Sequence, residues 1–307
     1  MKKVLVIGAS GFVGSHLTKA LLTTEYTVRC LTRDPSRMPH MASDQCEIVR
    51  GDVADPASLK LALHGMDAVY ISMHTIAPQQ AGTEKQNFVE IEKRGLHNVV
   101  EACLENGVHR LIHITSLGSS PNESSEWVRG RWESEQSLLK SGLNVTILRP
   151  GQIVGAAGMG FKTMLSQAKG SLAILIGNGQ QKTRSIAIND LVYYLVGILN
   201  DPRSFGQIYD VGGDDVWTAD QMIDLIADVL KKKHPMKIHL STSVLAGAAP
   251  LVERFMHMQK GSFNGFLSSL KTDMVGNPLP IRALLPQHPL SYREAVEQVL
   301  RSTQNHS

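Results

Sequence analysis

Two periods alternate along residues 1–150. Short runs rich in apolar and β-branched side chains recur at residues 4–7, 27–32, 47–50, 68–72, 110–115 and 144–148. Such runs, lacking the polar alternation of a half-exposed strand, predict strands buried on both faces. Between them, apolar residues return at helical spacing over 15–23, 56–63, 84–106 and 126–141. Repeated strand–helix units predict a parallel sheet with helices on both faces. Right-handed crossovers make a doubly wound α/β sheet the expected architecture. The punctuation agrees. Asp55 precedes Pro56 as an N-cap before a proline at the first helical position, and Gly107 and Gly142 follow helix ends just before strands.

Past Pro150 the texture changes. GQIVGAAGMG is glycine-rich, residues 161–168 predict a helix, and LAILIGNGQ a strand and turn. TRSIAINDLVYYLVGILNDP predicts a strand, a cap at Asn189 or Asp190, and a helix. GQIYDVGG is a further short strand, TADQMIDLIADVLKK a helix capped by Thr218, and LSYREAVEQVLR a final amphipathic helix capped by Ser291. The rest of 235–307 has a weaker pattern. The expectation is a sheet domain over 1–150 and a smaller lobe over 151–307 that covers a substrate. Segments near 183–230 are expected to return and pack on the sheet.

The bulk numbers narrow the function. A chain of 307 residues, 42% hydrophobic, is ample for one large domain or two small ones. A net charge of +3 with interspersed acids and bases does not point to nucleic acid. The densest basic run, KKKH at 231–234, is expected to cap a helix C-terminus. Cys30, Cys46 and Cys103 form no CxxC pair and read as buried free thiols of a reducing compartment. No metal is expected: His109 and His113 are four apart on a strand, where that spacing makes no chelating pair. No apolar stretch reaches the roughly 18 residues of a membrane span. The first apolar run is too short for a signal peptide, so a cytoplasmic chain is expected.

The candidate chemistry starts at MKKVLVIGASGFVG. Gly8, Gly11 and Gly14 directly follow the first strand, and SHLTKALLTT reads as a helix. A strand, a glycine turn and a helix N-terminus build an anion site. No Cβ keeps a pyrophosphate from the backbone, and free helix N–H groups point at it. This predicts a bound dinucleotide in a Rossmann-type fold. The second strand ends Cys30-Leu31-Thr32 with Arg33 and Arg37 following, and no acid at its tip. A guanidinium can grip a 2′-phosphate bidentately, so NADP is expected. Asp34 leaves NAD open.

Five blocks in order, IGASGFVGSHL, LTRDP, GDVAD, GLHNVVEACLENGVHRLIHITSLGS and LNVTILRPGQIVG, resemble the extended and atypical short-chain dehydrogenase/reductases. The similarity is nearest to their NmrA-like, NAD(P)H-binding group, once labelled nucleoside-diphosphate-sugar epimerases. The resemblance covers about residues 1–230 and implies cofactor positions. Gly8, Ser10, Gly11, Phe12, Val13 and Gly14 match the pyrophosphate turn. Asp52 and Val53 match the element at the adenine. Ser72, Met73 and His74 lie where the fourth strand passes under the ribose. Thr115 and Ser116 match the end of the fifth strand, and Pro150, Gln152 and Ile153 the loop beside the nicotinamide.

The resemblance also implies a Ser, and a Tyr and Lys in a YxxxK helix. Ser116 fits the first. SSEWVRGRWESEQSLLKSG places Trp127 at the Tyr, Arg131 at the Lys and Glu135 at the following acid. Arg131 matches a residue that also binds the ribose. An indole N–H does not titrate usefully, and a guanidinium cannot shuttle a proton. No tyrosine occurs between Ile71 and Val192. Two readings stand: an oxidoreductase of a quinone or carbonyl substrate whose proton comes from His74 or from water, or a non-catalytic NADP(H) sensor or scaffold. An epimerase or dehydratase is less compatible with Trp127. A monomer or a homodimer is left open.

Overall fold

Alternate side chains of the first strand, β1 (Lys3–Ile7), enter two different cores. Val4 and Val6 join one buried cluster, Leu5 and Ile7 another. A strand hydrophobic on both faces is stable only if both are covered, and here both are. The computed structural model describes residues 2–38, 41–73, 88–122, 125–256, 258 and 260–304.

In order, the elements of the first half are β1, α1 (Phe12–Leu22), β2 (Thr27–Thr32), β3 (Cys46–Arg50), α2 (Pro56–Leu63), β4 (Ala68–Ile71), α3 (Phe88–Asn106), β5 (Arg110–Ile114), α4 (Glu126–Leu139) and β6 (Asn144–Pro150). There follow β7 (Gln152–Val154), α5 (Met159–Lys169), β8 (Leu172–Ile176), β9 (Lys182–Ala187), α6 (Ile188–Gly197), β10 (Gln207–Val211), β11 (Val216–Thr218) and α7 (Ala219–Val229). The chain closes with β12 (Met236–Leu240), α8 (Thr242–Phe255), α9 (Ser262–Ser269), α10 (Leu279–Leu284) and α11 (Tyr292–Gln304).

The main sheet is parallel, in the order β10-β6-β5-β4-β1-β2-β3. The strand order reverses between β1 and β4. In a doubly wound sheet this switch point opens a crevice at the strands' C-terminal ends, where ligands bind. The expected doubly wound α/β fold is therefore present. β10, from the second half, extends the sheet beyond β6. Two smaller sheets, β11-β9-β7 and β12-β8, surround a third core built around Phe161, Met222, Ile226 and Tyr292.

Local expectations hold at several ends. Asp55 accepts from the Ala57 N–H as the N-cap of α2. Thr218 and Gln221 form a capping box on α7. Ser291 and Glu294 exchange the same pair of bonds at the start of α11.

Others need correction. α1 starts at Phe12, not residue 15, because Gly11 is already its N-cap and its carbonyl accepts from the Ser15 N–H. β4 stops at Ile71 and α4 at Leu139, one and two residues short of expectation. The N-cap of α6 is Ala187, not Asn189 or Asp190. The Asp190 carboxylate instead accepts from Gln287 Nε2 at 2.6 Å and the Leu290 N–H at 2.9 Å, tying the last segment of the chain to α6.

The KKKH run closes α7 as expected, with Lys231 at φ 54 and the Lys232 N–H on the Ala227 carbonyl. The Lys232 ammonium reaches a different helix end, the Lys169 carbonyl of α5, at 2.9 Å. The three cysteines are free and buried, but Cys30 and Cys46 are not apart in space: β2 and β3 bring their sulfurs to 3.8 Å. Among the described residues no group of three or more metal-ligating side chains comes together, and no helix is long and apolar enough to cross a membrane.

Candidate functional site

The glycine turn bridges β1 and α1 beside the switch point. Gly8 sits at φ 82, and a Cβ there would lie 2.5 Å from the Ser72 carbonyl oxygen at the end of β4. A Cβ on Gly14 would lie 2.2 Å from the Gly8 carbonyl oxygen. Both contacts are to backbone, which cannot yield as a flexible side chain could. The turn is closed by the Gly11 N–H on the Gly8 carbonyl at 2.9 Å.

Gly11 offers no side-chain cap, and the first turn of α1 carries no acid. The N–H groups at the start of α1 are thus left to an anion. Ser10 Oγ accepts from Thr32 Oγ1 at 3.1 Å, pinning the turn to the end of β2. The ring of Phe12 lies against Gly155 and Gly158: a Cβ on Gly155 would stand 2.6 Å from it. Val13, half-buried, packs on the core beneath.

The side of the crevice at β2 is basic. Asp34, the residue that left NAD open, caps the short 3-10 turn Pro35–Arg37, accepting from the Ser36 N–H and hydroxyl. The Ser36 hydroxyl bond, more than the nearby Arg37 and Arg50, holds its carboxyl below the usual range. Arg33 and Arg37 are exposed, and Arg50, which sequence reasoning missed, pairs in register with Thr32 at the end of β3. That pairing was the available signal: an arginine closes the GDV-bearing strand.

Asp52 Oδ1 accepts from the Ala54 N–H, shaping the next loop. Val53 and Met73 come together over Gly95 of α3, and Asn98 Nδ2 donates to the Val53 carbonyl at 2.9 Å. His74 lies outside the described residues.

Helix α4 presents the replaced catalytic positions. Trp127, Arg131 and Glu135 recur every four residues on one face. Arg131 Nη1 donates to Ser116 Oγ at 2.7 Å, and its guanidinium stacks 4.5 Å from the centre of the Trp127 ring. The structure therefore unites Ser116, Trp127 and Arg131.

Arg131 is buried, which pulls its pKa down, opposed by the carboxylates of Glu92 on α3 and Glu135. Glu135 is fully buried and is gripped by the Nε and Nη2 of Arg149 on β6. Glu92, Arg131, Glu135 and Arg149 thus form a run of alternating buried charge. Only the Arg131–Glu135 part was legible, through the helix motif. Glu92, Arg149 and His113 were missed as site residues; for His113 and Arg149 the signal was a polar side chain inside the apolar strands β5 and β6. Burial drives His113 down to about 4, despite the pull of Glu92.

Trp127 Nε1, Thr115 Oγ1 and Arg131 Nε are buried with no hydrogen-bond partner among the described residues. Such atoms are costly unless something satisfies them. Gln152 donates to Met164 Sδ at 3.0 Å, Pro150 and Gln152 flank Gly151, whose place against the Arg184 carbonyl admits no side chain, and Ile153 packs on the first core. The backbone cradle and these orphaned atoms fit a nicotinamide dinucleotide. Gly8, Gly11, Gly14 and the α1 N-terminus are the groups that could hold its diphosphate, and Ser116 and Arg131 are those that could hold its ribose.

Known proteins agree with this class. The chain belongs to the NAD(P)H-binding family, whose profile matches residues 8–202. Among curated proteins it is 27% identical over 261 residues to subunit 9 of the mitochondrial NADH dehydrogenase [ubiquinone] 1 alpha subcomplex of Dictyostelium discoideum, covering 81% of this chain and 70% of that one. It is 26% identical over 215 residues to an NAD(P)H azoreductase of Xenophilus azovorans, covering 68% of each. The matched part is 60% of the length of a Sinorhizobium fredii relative.

Among solved structures, the NADPH-dependent quinone oxidoreductase QOR2 of Escherichia coli, complexed with NADPH, superposes with a TM-score of 0.73 at 19% identity, covering 97% of this chain and 99% of that one. A nucleoside-diphosphate-sugar epimerase of Staphylococcus aureus superposes at 0.76 with 16% identity, covering 97% and 100%. The fold is thus the one that these oxidoreductase and epimerase structures share, as the sequence blocks implied.

Proposed function

We propose that this chain is an NADPH-dependent oxidoreductase of an acceptor, of the quinone class, that needs no proton from a tyrosine. Residues 1–150 bind the nucleotide and 151–307 cover the acceptor. The observation that carries this reading is Arg131, fixed by Ser116 and Trp127 where a titrating pair would stand.

When bound, the nicotinamide supplies a hydride. Arg131 and Ser116 hold its ribose, and Thr115 and Trp127 offer their free polar atoms to the same end. None of these groups moves a proton near neutrality. A quinone reduced by hydride becomes a stabilised anion that takes its proton from water, so it escapes the need. An acceptor that requires a proton draws on His74, the best candidate for a group beside the cofactor that titrates near neutrality. Arg33 and Arg37, joined by Arg50, favour the 2′-phosphate of NADP, while Asp34 is engaged in its own turn. The azoreductase relative and the QOR2 fold support an oxidoreductase.

The test has two stages. Titration with NADPH and NADH is expected to give the tighter binding to NADPH; equal or reversed affinities overturn that choice. The loss of reduced-nicotinamide absorbance is then followed with quinones, azo dyes, ketones and aldehydes. Quinone turnover is expected. Tight binding without turnover across the panel replaces the enzyme with the NADP(H) sensor.

A further inference from the structure

The small sheet β12-β8 turns one wholly aliphatic face to solvent. Its register pairs Met236 with Leu172, Ile238 with Ile174 and Leu240 with Ile176. Leu172, Ile174, Met236, Ile238 and Leu240 are each at least 39% exposed, and Met236 is 67% exposed. The opposite face is spoken for: Ala173 and Leu175 enter the third core, Lys237 pairs with Asp224 at 2.6 Å and His239 with Asp220 at 3.0 Å. A contiguous apolar patch of this kind marks an interaction surface.

Its border names the partner. The two strands are parallel, so the residues that precede them meet at one end. There stand Lys169, before β8, and Lys231, Lys232 and Lys233, before β12, all exposed. The Lys232 contact to the Lys169 carbonyl places both segments side by side. Lys231 and Lys233 make no ion pair among the described residues. The nearby Asp228 is taken by His234 at 2.8 Å.

We propose that this face docks on an anionic lipid bilayer. The aliphatic side chains enter the headgroup boundary, and the lysines lie over the lipid phosphates. A second copy of the chain would not answer the charge. At the far end the strands run into Ile176-Gly177-Asn178 and Leu240-Ser241-Thr242, with no carboxylate, and Asp220 is held on the other face by His239. The proposal is independent of the redox reading above and would place the chain where lipophilic molecules dissolve.

The test is co-sedimentation of the full chain with phosphatidylcholine vesicles and with vesicles of phosphatidylcholine and phosphatidylglycerol. Binding is expected only to the anionic vesicles, weakening as salt rises. Lys231→Gln and Lys233→Gln should each weaken it about fivefold. Met236→Gln with Ile238→Gln should weaken it about tenfold or more. These positions are exposed, so circular dichroism and the melting temperature serve as fold controls and should not move. No binding to the anionic vesicles overturns the proposal. So does binding that is indifferent to the apolar pair, or a dimer that the apolar pair dissolves while vesicle binding persists.

Discussion

The glycine turn after β1 and the face of helix α4 differ in what they are made of. The turn is backbone: Gly8 and Gly14 leave no room for a Cβ, and α1 starts at Gly11 with no side-chain cap. The α4 face is side chain: Trp127, Arg131 and Glu135 stand where the superfamily resemblance places a Tyr, a Lys and an acid. Read through that resemblance, Trp127 and Arg131 supply a ring, a positive charge and a hydrogen bond to Ser116, and no group that titrates near neutrality. A binding function written in backbone tolerates no substitution, whereas a chemical one can be rewritten while the pocket stands.

The contrast can be attacked from both sides. Gly14→Ala should do most harm, because its methyl meets the Gly8 carbonyl and Ala9 Cα. We expect a combined loss of more than about 4 kcal/mol in stability and NADPH binding, read by thermal melting and titration. Arg149→Met leaves the Glu135 carboxylate without its main partner, and breaking such a buried pair costs about 3–5 kcal/mol in denaturant unfolding.

Acid should act through His113. Its folded pKa, about 4, lies below the unfolded value, so the unfolded chain binds the extra proton. The stability is whole above about pH 6.5 and drains as pH falls towards 4, by about 3 kcal/mol. His113→Asn should flatten that part of the curve.

On the helix, Trp127→Tyr with Arg131→Lys restores a titrating pair. Ketone reduction should rise about 100-fold over the parent if the pocket is otherwise sound. Smallest is Arg37→Gln, which should cut the preference for NADPH over NADH by up to about tenfold, without touching the melting temperature.

Legibility followed the same divide. The sheet, its order-giving strands and the turn were readable because each is local: an apolar run, a glycine, a cap. The absent tyrosine was readable because it needs only a count. Arg149 and Glu92 were not, since their value depends on strands and helices meeting far from one another in sequence. Asp190 misled for a related reason. It looks like a cap by position, yet Gln287 and Leu290, nearly a hundred residues on, claim it. Residues 235–307 gave little because short amphipathic helices with outward apolar residues, such as Val244, Leu251 and Phe255 on α8, break the pattern that periodicity relies on.

Arg110 joins the two halves of the chain. From β5 its guanidinium reaches the carbonyls of Ile198 and Leu199 just past α6, as Tyr70 of β4 reaches the Leu195 carbonyl. The central strands therefore end their polar groups on a helix made much later on the ribosome. Without α6, Arg110 keeps its bonds to the Asn144 carbonyl and Thr146 Oγ1 of β6 but loses those to Ile198 and Leu199, so the first half completes its polar pairing only when the second packs on it.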